Sequence, residues 1–199
     1  VKDRPLYLEK CENVDCVVYQ SKFCQRCVEC FTDKVKKSVL IYNGILPQPD
    51  VTAEPHEKLK VLVYYRPQNT WGRRLGGLEW LEVLERHQEE LGYEIVRIDT
   101  PSTLRRFQLL AMMKECDIMI HTAYYEACSN ALLEGMSCGC AAIVTDDSGN
   151  AEIVGEQGCI VRTEPATRDV NYDEFTHKDC DYLPIIQMDQ AHAYEQLKQ

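Results

Sequence analysis

Two glutamates, Glu126 and Glu134, stand eight positions apart in the run YYEACSNALLEG, with Cys128, Ser129 and Asn130 between them. Carboxylates accept hydrogen bonds from hydroxyl groups, and the unpaired amides of a helix start favour anionic oxygens. With a helix beginning at Asn130, Glu126 falls in the preceding loop and Glu134 about one turn in. One carboxylate can then meet a sugar and the other a ribose diol. Upstream, Arg66 directly follows KVLVYY, and Arg73 and Arg74 lead into the next helical run. Guanidinium groups grip phosphate oxygens bidentately and stay charged, so this trio suits a diphosphate; a solvated basic loop is the alternative. His121 closes the apolar run DIMIH, as a general base or as a packed residue lining a pocket. Tyr124 and Tyr125 either stack on a nucleobase or cover a sheet edge. Cys24, Cys27 and Cys30, with Cys11 and Cys16 nearby, resemble part of a thiolate metal site. Lys34 stands where a fourth ligand would be needed, and steps of three put the thiols along one helical stripe. Half-buried free cysteines are the preferred reading.

The elements that must position these groups alternate along the chain. Residues 14–19 form an apolar, β-branched run, with Ser21 as N-cap of a helix extending to about residue 36, and residues 38–42 form a second strand closed by Asn43-Gly44. The proline-bearing stretch 47–57 reads as a linker. It divides closing elements of one α/β domain, residues 1–46, from a domain over 58–199. In the latter, strands are expected at 60–65, 94–98, 117–120, 141–145 and 159–161. Helices are expected over 75–91, with Leu78, Leu81, Leu84 and Leu91 on one face, and over 130–137. A further helix capped by Ser102 carries Leu104, Phe107, Leu110 and Met113. Strands separated by helices imply a Rossmann-like parallel sheet with helices on both faces, which takes ligands beyond the carboxyl ends of its strands. Each candidate group above follows a strand end. In GMSCGCAAIVT the small residues suit close helix-on-strand packing, with Gly139 as a left-handed helix stop and no catalytic role for Cys138 or Cys140.

The 199-residue chain carries a formal charge of -10, which opposes broad binding to nucleic acid, since that rests on cationic side chains. No apolar run reaches the roughly 20 residues that span a bilayer. Eleven cysteines, an odd number, with no signal-peptide core at the start, favour a reducing cytosol. The expected location is cytoplasmic, including the cytosolic face of a membrane.

HTAYYEACSNALLEGMSCGCAAIVTDDSGNAEIVGEQGCIVR resembles the signature region of the family-four retaining glycosyltransferases of the GT-B fold, also called group 1 glycosyl transferases. Their E-x7-E motif falls on Glu126 and Glu134. KVLVYYRP with Arg73, Arg74 and LGGLEWLEVLE is similar to the strand, basic loop and first helix of that family's carboxy-terminal donor domain. VDCVVYQSKF and VLIYNGI resemble the end of the amino-terminal acceptor domain, so the likeness spans about residues 11–162. It implies transfer of a sugar from a nucleoside diphosphate sugar to a hydroxyl of a glycan, lipid-linked or protein acceptor, with retention and without a metal ion or other cofactor. Glu126 and Arg66 would then be catalytic. Glu134 would hold the ribose, Arg73 or Arg74 the diphosphate, and Ser129, Asn130, Cys128 and His121 would complete the donor pocket. Departures are Arg73 and Arg74 where a lysine is common, Cys128 and Ser129 where phenylalanine and glycine are common, and Ala141 where proline is usual. Most of an acceptor domain is missing, so the chain reads as a fragment without a complete cleft. Two other classes compete: a non-catalytic nucleotide-sugar-binding or interaction module, and a cysteine-ligated metal protein.

Overall fold

A computed structural model of the chain describes residues 6–30, 32–48, 56–64, 77–98, 104–121, 123–124, 126–165 and 186–198. Helix α1 (Leu6–Asn13) precedes strand β1 (Val17–Tyr19), helix α2 (Lys22–Glu29) and strand β2 (Ser38–Leu40). Strands β1 and β2 pair in parallel as a small sheet of their own. Ser21 caps α2 as expected, its hydroxyl accepting the Cys24 N–H at 3.0 Å. The helix stops at Glu29, however, well short of residue 36. Beyond it the Thr32 hydroxyl accepts the Lys34 N–H at 3.2 Å and binds the Glu12 carboxylate at 2.5 Å, a local bond that competes with helical continuation.

The larger unit runs β3 (Lys60–Tyr64), α3 (Gly77–Leu91), β4 (Glu94–Ile98), α4 (Arg106–Lys114), β5 (Ile118–His121), α5 (Asn130–Ser137), β6 (Ala141–Thr145), α6 (Asn150–Val154) and β7 (Cys159–Val161). Its five strands are all parallel in the order β4-β3-β5-β6-β7. The order reverses direction between β3 and β5, so the topological switch point lies between their carboxyl ends. Strands β8 (Thr163–Pro165) and β9 (Ile186–Met188) then pair antiparallel and lead into α7 (Gln190–Leu197).

Period-two alternation divides each strand between two cores. Val61, Val63, Ile120 and Ile143 pack with Trp80, Val83 and Leu84 of α3 and Ala193 of α7. Leu62 and Met119 turn the other way, onto Leu109 and Met113 of α4, and Ala142 and Val144 meet Leu132 of α5 and Val154 of α6. Helices therefore cover both faces, and near-continuous apolar strands follow from burial on both sides.

Helix α4 corrects one expectation. The helix begins behind Arg105, whose N–H is taken by the Gln108 carboxamide oxygen at 2.9 Å, and not behind Ser102, which lies outside the described residues. Its buried stripe is Leu109 and Met113, while Phe107 is 65% exposed. The Gly139 expectation holds: its φ is 94°, its N–H reaches Met136 C=O, and Cys140 N–H reaches Gly135 C=O, the paired bonds of a Schellman stop. Gly135 presses on β5 so closely that a Cβ there would lie 2.2 Å from Met119 Sδ. Cys116, Cys138 and Cys140 are buried as small hydrophobes; burial pushes the Cys140 thiol up to about 12.

Candidate functional site

Because the sheet is parallel, every strand delivers its carboxyl end to one edge, and the loops after β5 and β6 meet there. The β6 loop enters α6 through Gly149, whose N–H donates to the Glu126 carbonyl at 2.7 Å. A Cβ at position 149 would lie 1.8 Å from the Ala127 carbonyl oxygen and 2.5 Å from Ser21 Oγ. A side chain would hold the two loops apart, so glycine is what allows the backbone carrying Glu126 to rest on the β6 loop.

Ser129 is the N-cap of α5, its hydroxyl accepting the Leu132 N–H at 3.3 Å. Its own N–H goes to Asn150 Oδ1 at 3.1 Å. Asn150 Nδ2 lies 3.1 Å from His121 Nδ1, and His121 Nε2 lies 2.9 Å from Ser129 Oγ. Ser129, Asn150 and His121 thus close a ring of buried polar contacts beneath the α5 N-terminus. Desolvation of the buried imidazole pushes His121 down to about 4, so the ring is neutral at pH 7. A buried, neutral imidazole with polar contacts at both nitrogens is positioned to support the loop.

Glu126 is half-buried in the loop and Asn130 is exposed at the first position of α5. Glu134, one turn on, pairs with Arg106 at the start of α4, Oε1 to Nε at 3.0 Å, with the carboxylate 14% and the guanidinium 65% exposed. The bridge joins two helices that both start at the carboxyl edge. Cys128 turns its sulfur towards the amino-terminal elements: Sγ accepts the Asn43 N–H at 3.4 Å, and its carbonyl accepts from Asn43 Nδ2 at 2.8 Å. Burial raises the Cys128 thiol, keeping it protonated. Arg66, Arg73, Arg74 and Tyr125 lie outside the described residues; β3 ends at Tyr64, two positions before Arg66.

Arg106 and Glu152 escaped the sequence reading, and Asn150 entered it only as the end of the glycine-containing loop Asp146–Asn150, open to a close backbone approach to a ligand or to an ordinary turn. The Glu152 carboxylate accepts the N–H groups of Lys22 and Phe23, at 2.8 and 2.5 Å, and the Tyr42 hydroxyl at 2.9 Å. It thereby serves the N-terminus of α2 across 130 residues of sequence. Nothing local in the sequence marks such a partner. Asn150 had one cue, a small polar residue directly after glycine at a strand-to-helix junction. In α2, Cys24 and Cys27 are half-buried, and burial raises both thiols. Among the described residues, no three His, Cys, Asp or Glu side chains are grouped to hold a metal ion.

Residues 72–168 match the family model described as glycosyl transferases group 1. That segment, just under half of the chain, is what resembles the group 1 glycosyl transferases. No curated protein sequence matches the chain. Among solved structures, sucrose-phosphate synthase from Thermosynechococcus elongatus superposes with a TM-score of 0.54 at 19% identity, over 97% of this chain and 54% of that one. The GtfA/B complex gives 0.61 at 15% identity, over 94% and 39%. WaaG, a glycosyltransferase involved in lipopolysaccharide biosynthesis, gives 0.54 at 15%, over 91% and 52%. The shared feature is the GT-B type of α/β fold, and the chain spans about half the length, or less, of these three. The matched segment contains β4 to β7, both glutamates and the whole His121–Ser129–Asn150 ring. Among the described residues no helix is long and apolar enough to cross a membrane.

Proposed function

We propose that residues 58–199 are the donor-binding half of a retaining glycosyltransferase, which transfers a sugar from a nucleoside diphosphate sugar to an acceptor hydroxyl of a glycan, lipid or protein. The observation that carries this reading is the placement of the Glu126 loop and the α5 N-terminus at the switch-point edge of the parallel sheet, inside the segment that matches the group 1 glycosyl transferase model. Glu126 contacts the sugar near the reacting carbon. Glu134 accepts hydrogen bonds from the donor ribose, with Arg106 steadying one of its oxygens. Arg66, with Arg73 or Arg74, neutralises the diphosphate as it leaves, so the reaction needs no metal ion. The amide of Asn130 at the start of α5 adds a donor for anionic oxygens, Ser129 caps the helix beside it, and Cys128 backs the loop from the side of Asn43. The acceptor side belongs to a second domain, of which residues 1–46 are the closing part, with 47–57 the linker. The setting is cytoplasmic.

Calorimetric titration with uridine, guanosine, adenosine and thymidine diphosphates tests this reading. At least one should bind, and Glu134→Ala should weaken it about tenfold or more, as expected for lost hydrogen bonds of about 1.5 kcal/mol or above. Glu126→Ala should leave diphosphate binding nearly intact. Absence of binding by all four would sink the proposal, and the opposite pattern of the two variants would reverse the roles of the glutamates.

A further inference from the structure

The ion pair of Glu134 with Arg106 lies in the seam between α4 and α5. Ala131, Glu134 and Cys138 are spaced three and four residues apart, so they share one stripe of α5. That stripe faces α4, because Ala131 packs in the cluster of Leu109 and Met113 and the Cys138 thiol donates to the Leu110 carbonyl at 3.7 Å. Arg106 heads the matching stripe of α4. Glu134 precedes Cys138 by four residues and Arg106 precedes Leu110 by four, so the two contacts run in step, one turn apart. Helix α4 begins at Arg106, whereas α5 extends about one more turn, roughly 6 Å, to Asn130. The first turn of α5 therefore stands above the start of α4, and the ion pair forms the floor of that step. Gly135 fixes its depth by letting α5 press on Met119 of β5. A carboxylate stands here in a seam otherwise filled by apolar side chains, and among the described residues Arg106 makes no other ion pair.

We propose that Arg106 is a positioning residue that sets Glu134 to bind both hydroxyls of a ribose, so that the site takes a ribonucleoside diphosphate in preference to its 2′-deoxy counterpart. The proposal rests on the reading of Glu134 as the ribose acceptor and adds to it the class of nucleotide. An ionised carboxylate offers about four lone-pair sites. Arg106 Nε, 3.0 Å from Oε1, occupies the side that faces α4 and holds the carboxylate in the seam. The sites that remain are those available to a ligand lying on the step, enough for two neighbouring hydroxyls. A ribose there shields the carboxylate from water, and an oxygen cut off from water needs a donor. A 2′-deoxyribose brings one hydroxyl fewer and leaves that need unmet. Without the guanidinium, the Glu134 side chain is free to turn back to solvent, and the penalty for the missing hydroxyl disappears.

Calorimetric titration of the full chain tests this, using whichever of uridine, guanosine and adenosine diphosphates binds most tightly, its 2′-deoxy counterpart, and thymidine diphosphate. The wild type should bind the ribonucleotide about tenfold more tightly than the 2′-deoxy form, as expected for one hydrogen bond to a charged group. In Arg106→Ala and R106Q that ratio should fall to about two or less, as it should in E134A. The R106A/E134A double variant should show no further fall, because either change removes the same interaction. Both ligands meet the same protein, so a smaller folded fraction lowers both affinities alike and leaves the ratio unmoved. A wild-type ratio in both Arg106 variants, beside a collapsed ratio in E134A, would overturn the role of Arg106 and leave Glu134 on the ribose. A ratio near one in the wild type, or tightest binding of thymidine diphosphate, itself a 2′-deoxynucleotide, would overturn the ribose selectivity. Absence of binding by every diphosphate would instead remove the donor-site reading, and this inference with it.

Discussion

Acid should unfold this protein through His121. In the unfolded chain the imidazole takes a proton at its ordinary 6.5, whereas in the fold burial holds it down to about 4. Between those values the unfolded state binds more protons, so stability is full above pH 6.5 and falls as the pH drops through 4. At about 1.4 kcal/mol per pH unit, the loss from this one group is about 2 kcal/mol near pH 5 and about 3 kcal/mol near pH 4. That is a large share of the roughly 5–15 kcal/mol typical of a domain. Urea unfolding followed across this range, in the wild type and in a non-titrating His121→Gln variant, isolates the contribution. The variant starts less stable, because its ring contacts are lost, but its curve should be flatter by about 3 kcal/mol over the interval. Parallel curves would show that His121 titrates alike in both states, and would refute the buried, neutral ring.

Two further changes address how the loops are held. Gly149 has an ordinary helical φ of -67°, so Gly149→Ala tests only the space around it. With a backbone carbonyl 1.8 Å from the new Cβ, it should cost about 1–3 kcal/mol in thermal or urea unfolding; unchanged stability would mean that the two loops do not touch there. Glu152→Ala removes the acceptor for two N–H groups of α2 and for the Tyr42 hydroxyl. It should cost about 1–2 kcal/mol and speed amide exchange selectively at Lys22 and Phe23, and unaltered exchange there would discount the contact.

The sheet was legible because burial on both faces writes apolar runs into the sequence. Residues 94–98, 130–137, 141–145 and 159–161 were delimited to the residue by apolar runs, Gly139 and the polar segments between them. Where the reading failed, a side-chain contact had overridden a local preference. Helix α2 ends early because Thr32 bonds Lys34 and Glu12, and α4 starts late because Gln108, not Ser102, satisfies its first turn. The stripe consequently moved from Phe107 to Leu109 and Met113. At the site, Glu126, Ser129, Asn130 and Glu134 stand out because they are close in sequence and flank a helix start. Asn150 and Arg106 are harder to read, since each acts on a residue 21 to 29 positions away.

The β6-to-α6 junction also explains why the two parts of the chain are not independent at the site. Within four residues, Gly149 supports the Glu126 backbone, Asn150 orients Ser129 through His121, and Glu152 receives α2 and Tyr42. On the opposite side Asn43 grips Cys128, between Glu126 and Ser129, through both its backbone and its carboxamide. The Glu126 loop is therefore held between a buried polar ring and the segment that follows β2. Any displacement of that segment relative to the sheet must break the Asn43 bonds or carry Cys128 with it. The loop bearing the proposed catalytic glutamate thus reports mechanically on elements far from it in sequence, and its position is fixed from both sides.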